Sequence, residues 1–369
     1  MLFRSRARLS LGRALAGAGE WDRARAELDE AARLAQVADD EGLLSRVWSF
    51  RSQVEVWRGG FEAGVELSSQ ALAIAERLDL PEVACECLDV LGRRASVQSY
   101  ERATEVFRRE LEIAERGDLR LWKVRALLEL GTLEMMASGD IGSLVQARDL
   151  AERDGAISAL TLTLQNQCWS LLFTMRWDEL AGANNRCVEL CRRFGLSLLP
   201  HALIVTALIH ALRGEVPEME AALKEAEGAT DDLNVRAAIW GTRGELAMLR
   251  ENADEAREAL DRAVDLLRQA SGYTNWFFLG TRALLLELRD AGGTEIRAEL
   301  RGITAPLASW NEAALDHAEA VALGRRGRKH QAEEALARGR DRLAWAHGCC
   351  TGMDGSRRRR RSGMGGESP

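Results

Sequence analysis

The chain has 369 residues, of which 46% are hydrophobic and 29% charged, and its formal net charge is −7. This acidic balance disfavours direct DNA binding, because a phosphate backbone attracts a basic face. The seven cysteines are odd in number, so a disulfide framework is not expected, and no apolar run has the length of a signal peptide or a membrane span. We therefore predict a cytoplasmic protein without membrane contact.

Turn signals recur along the chain at steps of roughly 37 to 40 residues, and each lies between two stretches of helical periodicity. A period of this length is typical of stacked helix pairs, so the sequence predicts an all-α solenoid of about nine helix–turn–helix repeats. In chain order the turn positions are Gly19, Gly59, Gly60, Ser99, Gly139, Arg176, Gly214, Glu251, Asp290 and Gly327.

Small residues are expected where the two helices of a repeat approach each other. Gly12 and Ala24 are such a pair in the first unit, and Gly244 and Ala256 in a later one. Large apolar residues are expected to fill the wider gaps. The remaining positions of this pattern are Leu11, Leu15, Leu28 and Ala31, then Trp240, Leu260 and Ala263, and in the last unit Leu323, Ala332 and Leu336.

This pattern resembles the tetratricopeptide repeat, whose ordinary period is 34 residues. Two features resemble the repeat region of the large ATP-binding LuxR-type regulators, the MalT-like group. One is the longer step between repeats, and the other is the sequence of three segments, Leu127 to Gly131, Tyr100 to Ala103 and Trp177 to Leu180. The resemblance implies an α-α superhelix whose first helices line a concave groove that binds a protein or peptide partner.

The two ends depart from the repeat pattern. Residues 1–347 are predicted to form the solenoid, and Met1 falls inside a first helix, as in a longer array that has been cut. Residues 348–369 lose the helical periodicity and are rich in Gly, Ser and Arg, with five consecutive arginines at 357–361. Either a disordered basic tail or a change of reading frame accounts for this segment.

Two modules of the LuxR-type regulators have no counterpart in the sequence. A phosphate-binding loop needs Lys followed by Ser or Thr, and none of Lys123, Lys224 and Lys329 is followed by either. No amphipathic helix-turn-helix follows residue 347. The chain is thus predicted to be a regulator's repeat region without its ATPase and DNA-binding domains, for effector sensing or self-association. The alternative is a stand-alone adaptor that binds a partner protein in its groove.

Catalysis and cofactor binding are not predicted, since no Ser/His/Asp constellation stands out. Cys187 and Cys191 are four residues apart on a helix and could bind a metal with His201, but a zinc site needs a further ligand in most structural cases. Buried apolar thiols are the favoured interpretation. Most of the ten tryptophans are assigned to repeat packing.

The groove is the remaining candidate site. Its arginines could hold an acidic peptide or a carboxylate through paired hydrogen bonds, although ordinary surface residues would look the same in the sequence. The positions expected to be exposed on first helices are Arg6, Arg13, Asp89, Arg93, Arg125, Thr132 and Glu245.

Overall fold

The computed structural model describes residues 1–269, 277–289, 298 and 309–348, apart from residues 19, 59, 97, 139, 174 and 175. Seventeen helices and no strands occur in this part of the chain. The first eight are α1 (Leu2–Gly17), α2 (Trp21–Val37), α3 (Glu41–Trp57), α4 (Phe61–Arg77), α5 (Pro81–Ser96), α6 (Tyr100–Arg116), α7 (Arg120–Ser138) and α8 (Gly142–Arg153). The others are α9 (Ile157–Phe173), α10 (Trp177–Phe194), α11 (Leu199–Arg213), α12 (Val216–Gly228), α13 (Leu233–Leu249), α14 (Ala253–Gln269), α15 (Phe277–Leu288), α16 (Ser309–Arg325) and α17 (Lys329–Gly348).

Consecutive helices pack in pairs, and the pairs stack along the chain. Each first helix packs most extensively against its own second helix, as α1 does with α2, α3 with α4, and so on through α13 with α14, and again α16 with α17. Each second helix also packs on the first helix of the next pair. The predicted solenoid of tetratricopeptide-like repeats is therefore confirmed.

The turns fall where the sequence places them, within the described residues. Gly60, Ser99 and Arg176 are the N-caps of α4, α6 and α10. Gly214 and Gly327 both have a φ of +73°, a left-handed conformation that glycine adopts without strain. Gly19, Gly59, Gly139 and Asp290 lie outside the described residues, as does the predicted tail beyond Gly348, where α17 ends.

Glycines in first helices do set the close approach within a repeat, but their contact is mainly a large side chain of the second helix. A Cβ on Gly12 would lie 2.9 Å from Cγ of Leu28 and 3.4 Å from the carbonyl oxygen of Ala24. A Cβ on Gly244 would lie 2.6 Å from Cγ of Leu260. Leu28 and Leu260 are both fully buried, so each leucine packs into the notch that its glycine leaves.

The last repeat departs from the predicted pattern. Leu336 was expected in the interface between α16 and α17, yet 41% of it is exposed. Ala335 is fully buried instead, and a Cβ on Gly339 would lie 2.7 Å from the His317 ring. The face of α17 that packs on α16 is thus the one that holds Ala335, one position before the residue that the pattern predicts. The helices of the described residues include none that is both long and apolar enough to cross a membrane.

Candidate functional site on the inner face

The first helices of the repeats line one face of the solenoid. Each odd-numbered helix from α1 to α13 also packs against the next odd-numbered helix, whereas the second helices of neighbouring repeats make fewer such contacts in the described part of the chain. In a curved stack, the helices that approach more closely lie on the concave side. We refer to this side as the inner face.

A buried carboxylate joins two repeats on this face. Asp89 on α5 is fully buried and accepts hydrogen bonds from Arg93, one turn later, and from Nη2 of Arg125 on α7 at 2.8 Å. Burial alone would raise the pKa of Asp89, but the two guanidinium groups hold it below its ordinary value. The pair Arg93 and Arg125 is thereby fixed around one negative charge.

The two arginines are not fully covered. The exposed fractions of the Arg93 and Arg125 side chains are 30% and 31%. The guanidinium carbon of Arg125 also lies 5.0 Å from the centre of the Trp122 ring, a cation–π contact that restricts its side chain. A partner on the inner face would meet two oriented guanidinium groups.

Two glutamates complete this group, which we call the Asp89 cluster (Asp89, Arg93, Glu110, Arg125 and Glu129). Glu129 on α7 lies 3.9 Å from Nε of Arg93. Glu110 on α6 is fully buried, and neither of its carboxylate oxygens has a hydrogen-bond partner among the described residues. Burial, together with the charge of Asp89, raises the pKa of Glu110 well above its ordinary value, which favours the neutral form of this acid.

A second buried acid lies beside this cluster. Glu86 on α5 accepts a hydrogen bond from the Ser49 hydroxyl at 2.6 Å and another from Nε2 of Gln53 at 3.2 Å. Nη2 of Arg13 on α1 lies 3.9 Å from Glu86, and its guanidinium carbon is 5.2 Å from the Phe50 ring centre. Burial raises the pKa of Glu86, while the Ser49 hydrogen bond and the charges of Arg13 and Arg125 oppose that rise.

Polar contacts continue along the inner face into the later repeats. Nδ2 of Asn166 on α9 donates to the Thr132 hydroxyl on α7 at 2.8 Å. Nε2 of Gln165 donates to the carbonyl oxygen of His201 on α11 at 3.3 Å. Like the contacts around Asp89 and Glu86, these join the first helices of neighbouring repeats.

Five of the seven predicted groove residues take part in these polar contacts of the inner face. Asp89, Arg93 and Arg125 contact one another, Arg13 borders Glu86, and Thr132 bonds the next repeat. The expectation that Asp89 is exposed is wrong, because two arginines and the packing of α5 cover it completely.

The other two predicted residues lie apart from the Asp89 cluster. Arg6 is exposed on α1. Glu245 lies on α13, where burial raises its pKa from the ordinary 4.5 to about 7, and a hydrogen bond with Thr281 opposes the rise. The inner face therefore holds one concentrated site between α1 and α9, with Glu245 farther along.

Three acids near this site were not predicted from the sequence: Glu86 and Glu110, which are buried, and Glu129, whose side chain is 25% exposed. A signal for two of them was present, because Glu86 stands between Cys85 and Cys87, and Glu129 between Leu128 and Leu130. Glu110 gives no such signal, because it lies on a second helix among ordinary surface glutamates.

The cysteines of the described residues, Cys85, Cys87, Cys168, Cys187 and Cys191, are all buried and unpaired. The Cys187 thiol donates to the carbonyl oxygen of Thr161 at 3.5 Å. Burial also lowers the pKa of His201, which lies on α11. Within the described residues, no group of three His, Cys, Asp or Glu side chains is arranged to hold a metal ion.

The tryptophans on the inner side are engaged in packing. Trp48 and Trp169 pack against the apolar cores of their repeats. Trp240 lies 4.9 Å from the guanidinium carbon of Arg243 and 4.3 Å from that of Arg262. Trp276 lies outside the described residues.

No family model and no curated relative matches the sequence. Solved structures with a similar fold include two Rap proteins. A Rap protein complexed with competence and sporulation factor is 15% identical, with a TM-score of 0.65 over 94% of this chain and 100% of its own. The apo form of RapI is 14% identical, with a TM-score of 0.58 over 72% of this chain and 98% of its own. At these identities the chain is similar to both proteins in fold, which is a helical-repeat solenoid.

Proposed function

We propose that this chain is an adaptor that binds a protein or peptide partner on the inner face, at the Asp89 cluster and Arg13. The observation that carries the proposal is the arrangement of Arg93 and Arg125 around Asp89. Each arginine is held at one end by the buried acid and keeps about a third of its side chain exposed. Preorganised donors of this kind lose little conformational entropy when a ligand binds.

The chemistry favours a carboxylate in the partner. Guanidinium groups recognise carboxylates through short, charge-assisted hydrogen bonds, often in pairs. The raised pKa of Glu110 favours its neutral form, in which it competes less for the arginines. Arg13, whose side chain is 51% exposed beside Glu86, adds a third cation to the same patch. An acidic side chain or a C-terminal carboxylate of a peptide suits these donors.

The similar fold of a Rap protein that is complexed with a factor is consistent with a binding role rather than a catalytic one. The more specific hypothesis of a LuxR-type regulator rests on the repeat pattern alone, because neither of the two Rap structures bears on it. Sequencing the DNA on both sides of the gene tests it: a nucleotide-binding motif upstream and a helix-turn-helix downstream would support it, and clean flanks would contradict it.

The binding proposal is tested with fluorescent peptides of equal length that are acidic, neutral or basic, titrated with the whole protein while anisotropy is measured. Acidic peptides should bind most tightly, and Arg13→Gln should weaken them at least several-fold. The control is Arg109→Gln, because Arg109 is similarly exposed (52%) but pairs with Glu76 on another helix pair. Equal affinity for all three peptide classes, or equal losses in the two variants, would contradict the proposal.

A further inference from the structure

The glycine notches of the first helices define equivalent positions along the inner face. A Cβ added to any of these glycines would collide with a large side chain of the second helix in the same repeat. The glycines are Gly12, Gly92, Gly131 and Gly244, and the side chains that they meet are Leu28, Phe107, Leu144 and Leu260. The four glycines therefore occupy the same place in their repeats.

The residue that follows each notch is polar. We call these residues the notch row, and they are Arg13 on α1, Arg93 on α5, Thr132 on α7 and Glu245 on α13. Because each follows an equivalent glycine on a first helix, the four side chains are related by the repeat itself.

A shared contact supports this register. Each residue of the notch row contacts the next first helix, about one repeat later in the chain. Nε of Arg93 lies 3.9 Å from Glu129, and the Thr132 hydroxyl accepts a hydrogen bond from Asn166 at 2.8 Å. The remaining two contacts are the cation–π contact of Arg13 with Phe50 and the hydrogen bond of Glu245 with Thr281.

The charge of the notch row changes sign along the solenoid. Arg13 and Arg93 are cations, Thr132 is neutral and Glu245 is an acid. Arg125 strengthens the positive end, because it shares Asp89 with Arg93. A ligand that lies along the row would meet cations in the early repeats and a carboxyl group at α13.

Glu245 differs from Asp89 in having no cation beside it. The pKa of Asp89 is held down by two arginines, whereas burial raises the pKa of Glu245 to about 7 and only the Thr281 hydrogen bond opposes the rise. Glu245 forms no ion pair with an arginine or lysine of the described residues. Its side chain is half-buried, so it remains accessible from the inner face. A cation of a ligand would supply the missing counter-charge.

The spacing of the two ends sets the length of the ligand. The first helices α9 and α11 lie between α7 and α13 in the stack, and α7 follows α5. Packed helices lie roughly 8 to 10 Å apart, which places Glu245 roughly 25 to 40 Å from the arginines of the Asp89 cluster. An extended chain rises about 3.3 Å per residue, so roughly 8 to 12 residues would cover this distance.

We propose that the inner face binds an extended peptide of another protein that carries two opposite charges. Its acidic group would contact Arg13, Arg93 and Arg125, and a lysine or arginine side chain about nine residues away would pair with Glu245. This inference rests on the proposed function, and it adds the sign and the spacing of a second recognised charge. Glu245 would then select among acidic peptides by the position of their basic residue.

The test compares three fluorescent peptides of equal length, each with one acidic residue in a neutral background. In the first, a lysine stands about nine residues from the acid; in the second, it stands about three residues away; in the third, glutamine replaces it. Anisotropy titrations of the whole protein are made at pH 8, above the pKa of about 7 of Glu245, so that its carboxylate is charged. The first peptide should bind at least about tenfold more tightly than the other two.

A pair of variants assigns this preference to one residue. Glu245→Gln removes the charge and keeps the size of the side chain, so the first and third peptides should bind it with similar affinity. The control is Glu258→Gln, which changes the net charge equally at an exposed position of α14, a second helix. This control should retain the full preference for the first peptide.

The outcomes separate this inference from the proposed function. The inference is overturned if the native protein binds the first peptide no more tightly than the second or the third, or if the two variants give equal preferences. Binding of the third peptide that Arg13→Gln still weakens would leave the proposed function standing alone. Failure of all three peptides to bind would overturn both.

Discussion

Arg125 donates a 2.8 Å hydrogen bond to Asp89, which lies 36 residues earlier at the neighbouring first helix. The Ser49 hydroxyl reaches Glu86 across 37 residues, and Asn166 reaches Thr132 across 34. Each of these contacts joins equivalent helices of successive repeats. The polar side chains of the inner face therefore tie the repeats together as well as forming the candidate site, and their geometry depends on the angle between repeats.

Asp89→Asn should destabilise the protein strongly. The change removes the buried charge that holds Arg93 and Arg125 and leaves two like charges facing each other. Breaking a buried ion pair costs about 3 to 5 kcal/mol, and we expect about 3 because both arginines retain some access to water. The measurement is the free energy of unfolding from denaturant titration.

The matched control for that prediction is Asp22→Asn. Asp22 pairs with Arg58 at 2.6 Å, but its side chain is 87% exposed, so its ion pair is screened by water. The loss should be several-fold smaller than for Asp89→Asn. Similar losses for the two variants would show that the Asp89 cluster contributes no more than a surface pair.

Gly244→Ala should lower the free energy of unfolding by about 1 to 3 kcal/mol, because the added Cβ would lie 2.6 Å from Cγ of Leu260. Gly182→Ala, within α10, adds a Cβ that meets no side chain of the described residues within 4 Å, and it should instead stabilise the helix by about 0.5 to 1 kcal/mol. Thermal and denaturant unfolding should show that Gly244→Ala lowers the free energy of unfolding and that Gly182→Ala raises it. Two changes of the same sign would refute the role of Gly244 as a packing notch.

Glu245→Gln should make the protein less sensitive to pH. The folded-state pKa of Glu245, about 7, lies above its ordinary 4.5, mainly through burial, so the folded state binds a proton that the unfolded state releases between these values. The stability contributed by this proton is present below pH 4.5 and is lost as the pH rises through 7. Glutamine keeps the neutral form at every pH.

The variant Glu245→Gln should therefore match the native free energy of unfolding near pH 4.5 and exceed it near pH 8, by roughly 1 to 3 kcal/mol. The measurement is a series of denaturant titrations across this range. An equal difference at both pH values would show that protonation of Glu245 does not contribute to stability.

The buried thiols should be unreactive in the native protein. Burial raises the pKa of Cys85 and of Cys168 to about 12, and the thiolate is the reactive form. In a variant with Cys349 and Cys350 replaced by serine, a thiol reagent should label none of the five remaining cysteines within minutes at pH 7.5, and all of them after unfolding. Rapid labelling of the folded protein would place one of these thiols in solvent.

The repeat pattern could be read from the sequence because it depends on local chemistry. Ser99 caps a helix, Gly214 takes a left-handed conformation, and the spacing of Ala24, Leu28 and Ala31 marks one buried face; none of these needs knowledge of distant residues. The misplacement of Leu336 has a different cause. Which face of α17 meets α16 depends on the rotation of the two helices, and leucine and alanine are both compatible with the local pattern.

The candidate site was predictable only in part. Arg93 and Arg125 stand out as charges on a mostly apolar helical face, so the sequence points to them. Their common partner could not be identified as buried, since a fully covered aspartate and a surface aspartate look alike in a helix. Glu110 could not be found at all, because its burial results from packing between α5 and α7.

By itself, the sequence determined the all-α repeat architecture, the order of the helix pairs and most of the turns, since helix periodicity and turn chemistry act within a few residues. Only the tertiary structure decided which charges meet. The stacking of repeats brings Asp89 to Arg125 and Ser49 to Glu86, and it shifts the pKa values of the covered acids. These properties depend on distances between residues far apart in the chain, and periodicity does not encode those distances.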